Sequence, residues 1–429
     1  MWWSRPRRIR GTTGPRHHSG LVPVLTDVAI VGAGPAGAAA AITLARAGRQ
    51  VTLVDKATFP RDKCCGDGLT AGALRLLDGL GLAPDTVASW HEVGDVWIRS
   101  PRGRTVPFAL PRGRGLFAAV ARRQDLDAAL VQVARDAGAE VVEGQAVCGA
   151  EQRVDRVVLR LGRPDGAHDA RIEARHVIGA DGMWSPLRKF LGLARPGYRG
   201  EWHAFRHYVR HVSPRAAREL WVSFERDLLP GYFWSFPVGD GQANVGFGIV
   251  RGGSITTQDM KQLWPELLAR PHIRDLLGPD AQVEAPHRAW PIPTDVGGVV
   301  LTDGRVLFAG DAIAAADPMT GEGIGQALAT GKWAAESILA APAGQPLEAA
   351  RRYEHRVHRD LARDQRFAAA LGRGLAHPAM AEFAIGAGGL TAWTRRNFAR
   401  WLFEDYPRAA VLTPDRWAPR RFTGAGAYH

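Results

Sequence analysis

The residues best placed for chemistry begin at Asp27 and run VAIV-Gly32-Ala-Gly34-Pro35-Ala36-Gly37. A strand that ends in glycines and opens straight into a helix gathers backbone N–H groups and the positive end of a helix dipole at one point, which suits a pyrophosphate. Gly32 permits the turn, Gly34 lets the main chain approach the phosphates, and Gly37 lets helix and strand pack closely. Asp55, with Lys56 after it, ends the next strand, where a carboxylate can accept hydrogen bonds from a ribose. The apolar run from 28 to 45 is long enough to be scored as a membrane span. Its glycines and proline stand in nucleotide-binding order, so a soluble βαβ unit is expected instead.

A second constellation turns the dinucleotide into FAD. Gly310-Asp311 ends an apolar strand, and Asp317 to Ile324 (DPMTGEGI) opens a helix. Asp311 is placed to bond a polyol such as ribityl. The helix start at Gly321, Gly323 and Ile324 would stabilise negative charge on a reduced isoalloxazine. Arg122 and Arg123 stand at another helix start, where a bound anion such as pyrophosphate rationalises them; a solvated pair is the alternative. Asp181 ends a strand beside the cofactor, with Ser185 as N-cap and Pro186 at the first helical position of the helix that follows. Tyr232, Trp234 and Phe236 alternate, so one sheet face carries all three, as core packing or as a substrate-pocket wall.

The elements that must hold these groups are read from periodicity. A strand, helix and strand over 26–55 are followed by a Gly/Pro/Cys loop to Thr70 and a short helix over 71–79. The stretch 123–137 is an amphipathic helix with Leu126, Leu130 and Val133 inward and Asp127 and Asp136 facing water. A hairpin turn is expected around Arg163–Gly166. The domain division is 25–80, 111–195 and 296–345 for nucleotide binding, 81–110 and 196–295 for a sheet lobe, and 346–429 for a helical C-terminal region. Residues 1–24 form a basic extension without the apolar core of a signal peptide.

The 429-residue chain is 46% hydrophobic and 23% charged, the composition of a globular protein. Its net charge of +12 is carried by Arg along the whole chain, with Lys at 56, 63, 189, 261 and 332 alone. No basic-aromatic recognition module appears, so no nucleic-acid partner is expected. Three cysteines, Cys64, Cys65 and Cys148, have neither disulfide nor metal-ligand spacing, so no metal is expected and the setting is reducing and cytoplasmic.

The loop from Phe59 to Thr70 (FPRDKCCGDGLT), with Leu229 to Pro237 (LPGYFWSFP) and Asn244 to Gly248 (NVGFG), resembles signatures of the geranylgeranyl reductase family of flavoproteins. The resemblance covers about residues 26–340. It implies the p-hydroxybenzoate hydroxylase fold: α/β, with a Rossmann-like FAD-binding domain, an inserted antiparallel-sheet substrate domain and a helical C-terminal region. It implies non-covalent FAD held through Gly32, Gly34, Gly37, Asp55, Arg123 and Asp311, with Arg61, Cys65 and Gly66 in the loop near the flavin. The activity implied is reduction of isolated C=C bonds in a lipophilic prenyl substrate. Cys65 and Asp67 are the loop residues suited to act as acid or relay. NAD(P)H, or a ferredoxin or flavodoxin, would supply electrons, since no second dinucleotide motif is visible.

Two rival readings remain. One is an oxygen-using flavoenzyme of this fold, an aromatic hydroxylase or a halogenase, although Tyr232 replaces the first Trp of the halogenase WxWxIP motif. The other is a membrane-peripheral flavin-binding protein without turnover. For that reading the basic, aromatic run from Trp393 to Phe403 would lie at a membrane interface, whereas packing on the domain is the alternative.

Overall fold

Strands that are apolar along their whole length must be covered on both faces, which is how parallel strands are used. Val24–Val31 is such a strand. In the computed structural model, which describes residues 24–162, 170–414 and 424–429, it lies inside the first sheet. Ala170–Gly179 and Val51–Val54 flank it in parallel. The sheet continues to Val306–Phe308 and Thr302–Asp303 on one side and to Glu140–Val142 on the other. Ala146–Gln152 and Val157–Gly162 add an antiparallel ribbon on Ala170–Gly179. Residue 24 therefore belongs to the first strand, while the rest of the basic extension and the turn expected at Arg163–Gly166 lie outside the described residues.

The run scored as a possible membrane span is a strand, a turn and the helix Pro35–Arg46. That helix packs against Ile324–Ala340. Their approach is closest at Gly331, where a Cβ would stand 1.9 Å from the carbonyl oxygen of Ala36. The helix Arg123–Asp136 buries Leu126 and Leu130 as expected. Asp127, however, does not face water. It is fully buried, because Arg123 from its own helix and Arg61 from a distant loop close over it. Asp136 is exposed.

The second sheet runs Gln282–Val283, Trp202–Arg210, Gln242–Val250, Tyr232–Gly239, Leu220–Ser223, Asp95–Arg99, Thr105–Ala109. Alternation along its strands makes two faces. Phe205, Phe233 and Phe247 pack under the helices Met260–Ala269 and Pro271–Leu277. Val96, Ile98, Phe108, Trp234 and Phe236 face the C-terminal helices instead, meeting Ile385, Ala399 and Phe403. In the helix Ala392–Leu402, Phe398 lies with its ring centroid 5.0 Å from that of Phe108 and Ala399 is buried, while Trp393 at one end is exposed. Most of the run considered for a membrane interface is thus packed on the sheet lobe. Among the described residues no helix is long and apolar enough to cross a membrane.

A third, small sheet of Gly68–Thr70, Ala118–Val120 and His91–Glu92 was not apparent from periodicity, since two- and three-residue strands carry almost none. It anchors the end of the Cys-containing loop between the two lobes.

Candidate functional site

A cleft of about 810 Å³ opens along the C-terminal ends of the parallel strands. Gly32, Gly34, Pro35, Ala36, Asp55, Lys56 and Arg61 line one part of it, and Cys65, Gly66, Arg123, Asp181, Asp311, Gly321, Gly323 and Ile324 line the rest. Gly37 lies behind the turn. A Cβ there would stand 1.8 Å from the oxygen of Gly32, so only glycine lets helix and turn meet.

Asp55 holds the glycine turn in shape: its Oδ2 accepts the Ala33 N–H at 2.7 Å and its Oδ1 accepts the Ala57 N–H at 2.8 Å. Each oxygen keeps a second lone pair that a ribose hydroxyl can use. Gly34 caps its helix without a side-chain hydrogen bond, which leaves the first N–H groups for a phosphate. Gly323 opens the helix Ile324–Ala340 in the same manner. Asp181 accepts the Leu187 N–H at 2.9 Å through Oδ2, while its buried Oδ1 has no partner. Burial pushes this carboxyl up to about 6. An orphaned acceptor, two uncapped helix starts and an elongated cleft together fit a dinucleotide such as FAD.

The Arg pair at 122–123 is neither solvated nor a free anion clamp. Arg123 forks onto both oxygens of Asp127, at 2.8 Å each. Arg122 donates to Gln242 at 2.6 Å and lies 4.5 Å from the centroid of the Tyr208 ring.

The loop with Cys65 and Asp67 is pinned by side chains on the second sheet. Register places Asn244 between Tyr208 and Phe236, and Gly246 between Arg206 and Trp234. Trp234 donates to Asn244 at 3.0 Å, and Asn244 donates to the Cys65 carbonyl and to Asp67 Oδ2, both at 2.8 Å. Tyr208 donates to the same Asp67 oxygen at 2.7 Å, and the Arg123 N–H approaches the other at 3.3 Å. Asp67, at a positive φ of 65°, is held in this left-handed conformation by the three donors Asn244, Tyr208 and Arg123. Burial pushes its carboxyl up, against the pull of Arg206 and the hydrogen bonds from Tyr208 and Asn244. Asp67 lines neither the cleft nor the cavity described next. Cys65 lines the cleft, and the atoms around its sulfur desolvate it and push the thiol up to about 11. Cys64, beside it, is pushed up to about 12 by burial. Both are neutral thiols at pH 7.

Beside the cleft, against the same Tyr232–Gly239 strand, lies a cavity of about 740 Å³ with apolar walls that include Ile98, Leu228, Ile249, Ile385 and Phe398. The residues that line both cavity and cleft are Trp202, Tyr232, Phe236, Thr320 and Glu322. Trp234 lines the cleft. The alternation of Tyr232, Trp234 and Phe236 therefore serves core and pocket wall together. Tyr232 donates its hydroxyl to the Thr320 carbonyl and Trp202 its indole N–H to that of Pro318, at 2.9 Å for the latter.

A charged cluster missed by sequence reasoning stands behind this junction. Asp317 accepts the Met319 and Thr320 N–H groups at 2.8 and 2.9 Å and Arg408 Nε at 2.8 Å. Burial opposes its ionisation, but Arg408 and the backbone donors outweigh burial and hold the carboxyl below the ordinary range. Glu404 accepts from Thr70 and Gln326, and its Oε1 is 3.5 Å from Arg408 Nη2. Burial pushes Glu404 up, and burial together with Glu404 and Asp317 pushes Glu322 up to about 8. Arg408 is remote in sequence from Asp317 and Glu322, and no local pattern marks it.

The chain matches the FAD binding domain family over residues 25–350. It is 35% identical over 328 residues to a protein named menaquinone reductase from Mycobacterium tuberculosis, covering 73% of this chain and 76% of that protein. It is 32% identical over 335 residues to digeranylgeranylglycerophospholipid reductase 1 of Methanopyrus kandleri, covering 73% of this chain and 80% of that one. A crystal structure of a geranylgeranyl bacteriochlorophyll reductase-like protein from Thermoplasma acidophilum has the same fold, with a TM-score of 0.76 at 22% identity over 91% of this chain and 99% of that one.

Proposed function

Because this chain belongs to the FAD-binding-domain family, and within it to the geranylgeranyl reductase type of FAD-dependent oxidoreductase, we propose that it saturates isolated C=C bonds in a polyprenyl chain. The observation that carries this reading is the junction between a cofactor cleft and an apolar cavity of about 740 Å³. Non-covalent FAD, when bound and reduced, supplies the hydride. NAD(P)H, or a ferredoxin or flavodoxin, recharges it.

The protein's own contribution follows from the chemistry of the substrate. An unactivated alkene has no carbonyl to hold negative charge, so proton delivery must lead or accompany hydride arrival. Trp202, Tyr232 and Phe236 surround the junction with rings and exclude water that would compete for the reacting carbon. The neutral Cys64 and Cys65 avoid placing thiolate charge beside an apolar substrate. Met380, Phe383 and Trp393 are exposed on the helices that wall the cavity, and Leu390 is exposed in the turn between them. They offer peripheral contact with a membrane, from which a lipophilic substrate would enter. The three thiols suit a reducing, cytoplasmic setting.

The test is anaerobic mixing of the reduced holoenzyme with a polyprenyl quinone and, separately, with a geranylgeranyl lipid. Flavin reoxidation with a product that carries two further hydrogens in its prenyl chain, and not on the quinone ring, is expected. Reoxidation that requires oxygen, with a hydroxylated or halogenated aromatic product, would replace the reductase by the oxygenase reading.

A further inference from the structure

The junction between cavity and cleft needs a group that can release a proton, and few side chains reach it. Of the five residues that line both spaces, Trp202 and Phe236 carry no titratable proton, and Thr320 has only an aliphatic hydroxyl. Tyr232 commits its hydroxyl to the Thr320 carbonyl, and burial raises the phenol further above its ordinary value. Cys65 lines the cleft but not the apolar cavity, and Asp67 lines neither. There remains Glu322, whose carboxyl accepts no hydrogen bond among the described residues and whose Oε1 lies 3.6 Å from the position a Cβ on Gly68 would take.

Resting on the prenyl-reductase reading, we infer that Glu322, standing where the apolar cavity meets the cofactor cleft, is the acid that protonates the alkene. The carboxyl O–H bond breaks, a C–H bond forms at one alkene carbon, and the π electrons of the C=C bond are used in that bond. The hydride from reduced FAD completes the other carbon, and the flavin is oxidised. Glu322 is left as carboxylate and takes a proton back from solvent after product leaves.

The surroundings keep this carboxyl protonated until it is needed. Asp317 and Glu404 both reach the one guanidinium, Arg408, and Glu322 stands in the field of all three groups, so full ionisation would set three negative charges against one positive charge. Asp317 takes the direct ion pair and Glu404 lies 3.5 Å from the same guanidinium, which leaves the proton to the carboxyl farthest from compensation. Cys65 and Tyr232, the titratable groups facing Glu322 from the loop and the sheet, are both neutral at pH 7. The carboxyl, pushed up to about 8, is the acid form at pH 7 and still close enough to neutrality to transfer a proton.

The test compares Glu322→Gln with the wild-type holoenzyme, using as substrate a geranylgeranyl lipid, which has no quinone ring to take electrons from the flavin. Wild type should show reoxidation that falls as pH rises through about 8. Glu322→Gln should lose this limb and slow reoxidation by roughly 10²- to 10⁴-fold, with FAD content and the rate of flavin reduction kept. Glu322→Asp should restore part of the rate and the limb. Independently of turnover, infrared difference spectra should show a protonated-carboxyl C=O band that vanishes above pH 8 and is absent in Glu322→Gln. If wild type reduces the substrate while Glu322→Gln reoxidises within twofold at every pH, the proton comes from elsewhere and the inference fails alone. If wild type transfers no hydrogen to any prenyl substrate, the underlying reading fails and takes the inference with it.

Discussion

Asp311 and Asp317 are six residues apart in one loop, and substitution of each should produce opposite signatures. Asp317 is almost fully buried, with its carboxylate shared between Arg408 and the Met319 and Thr320 N–H groups. In Asp317→Ala the guanidinium stays buried without its partner, a loss that costs about 3–5 kcal/mol. Glu404, 3.5 Å from Arg408, can take over part of the pairing, which sets the expectation near the lower end, about 3 kcal/mol. That is roughly a hundredfold rise in local opening of the segment that carries Arg408. Asp311 lines the cofactor cleft instead. Asp311→Ala should leave that segment intact and weaken FAD binding by about 1.5–3 kcal/mol, the loss of a charge-assisted hydrogen bond. Native-state hydrogen exchange of residues 400–413 reads the first effect and flavin titration of apoprotein the second. Because folded Asp317 titrates below its ordinary value of 3.8, its stabilisation is complete above that value and lost only as pH falls through the lower folded one. Wild-type protection in Asp317→Ala, or equal loss of protection in both variants, would refute this division of roles.

Gly331→Ala places a methyl 1.9 Å from the Ala36 oxygen and should separate the two helices behind the cleft, costing at least about 1–3 kcal/mol and lowering FAD retention; an unchanged melting temperature and flavin content would contradict the close approach. Acid precipitation of the holoprotein should release all flavin to the supernatant, and flavin in the pellet would overturn non-covalent binding. Burial that raises Cys65 to about 11 and Cys64 to about 12 predicts alkylation by iodoacetamide in the apoprotein that keeps accelerating past pH 9. A plateau at the ordinary thiol value would remove the desolvated environment.

The first βαβ unit was legible because every requirement in it is local: Gly32, Gly34, Gly37 and Asp55 serve a turn, a helix start and a strand end within one short stretch. The Ser185 cap is of the same kind, and its hydroxyl accepts the Arg188 N–H at 3.0 Å. Alternation placed Tyr232, Trp234 and Phe236 on one face without saying what that face meets. Helical spacing likewise put Asp127 on the polar side of its helix. Arg61, carried there by a different loop, made it a buried ion-pair partner. The grip of Asn244 and Tyr208 on Asp67 depends on strand register, and the pairing of Arg408 with Asp317 joins the C-terminal segment to the loop that precedes the helix Ile324–Ala340. Periodicity states which side of an element is apolar, and motif spacing states which backbone can bend. Neither specifies which distant segment supplies a countercharge. Where Glu322 sits, what desolvates it and which carboxylates surround it were settled only when residues from the sheet lobe, the FAD lobe and the C-terminal helices were packed against one another, because electrostatic energy depends on distance through space and not along the chain.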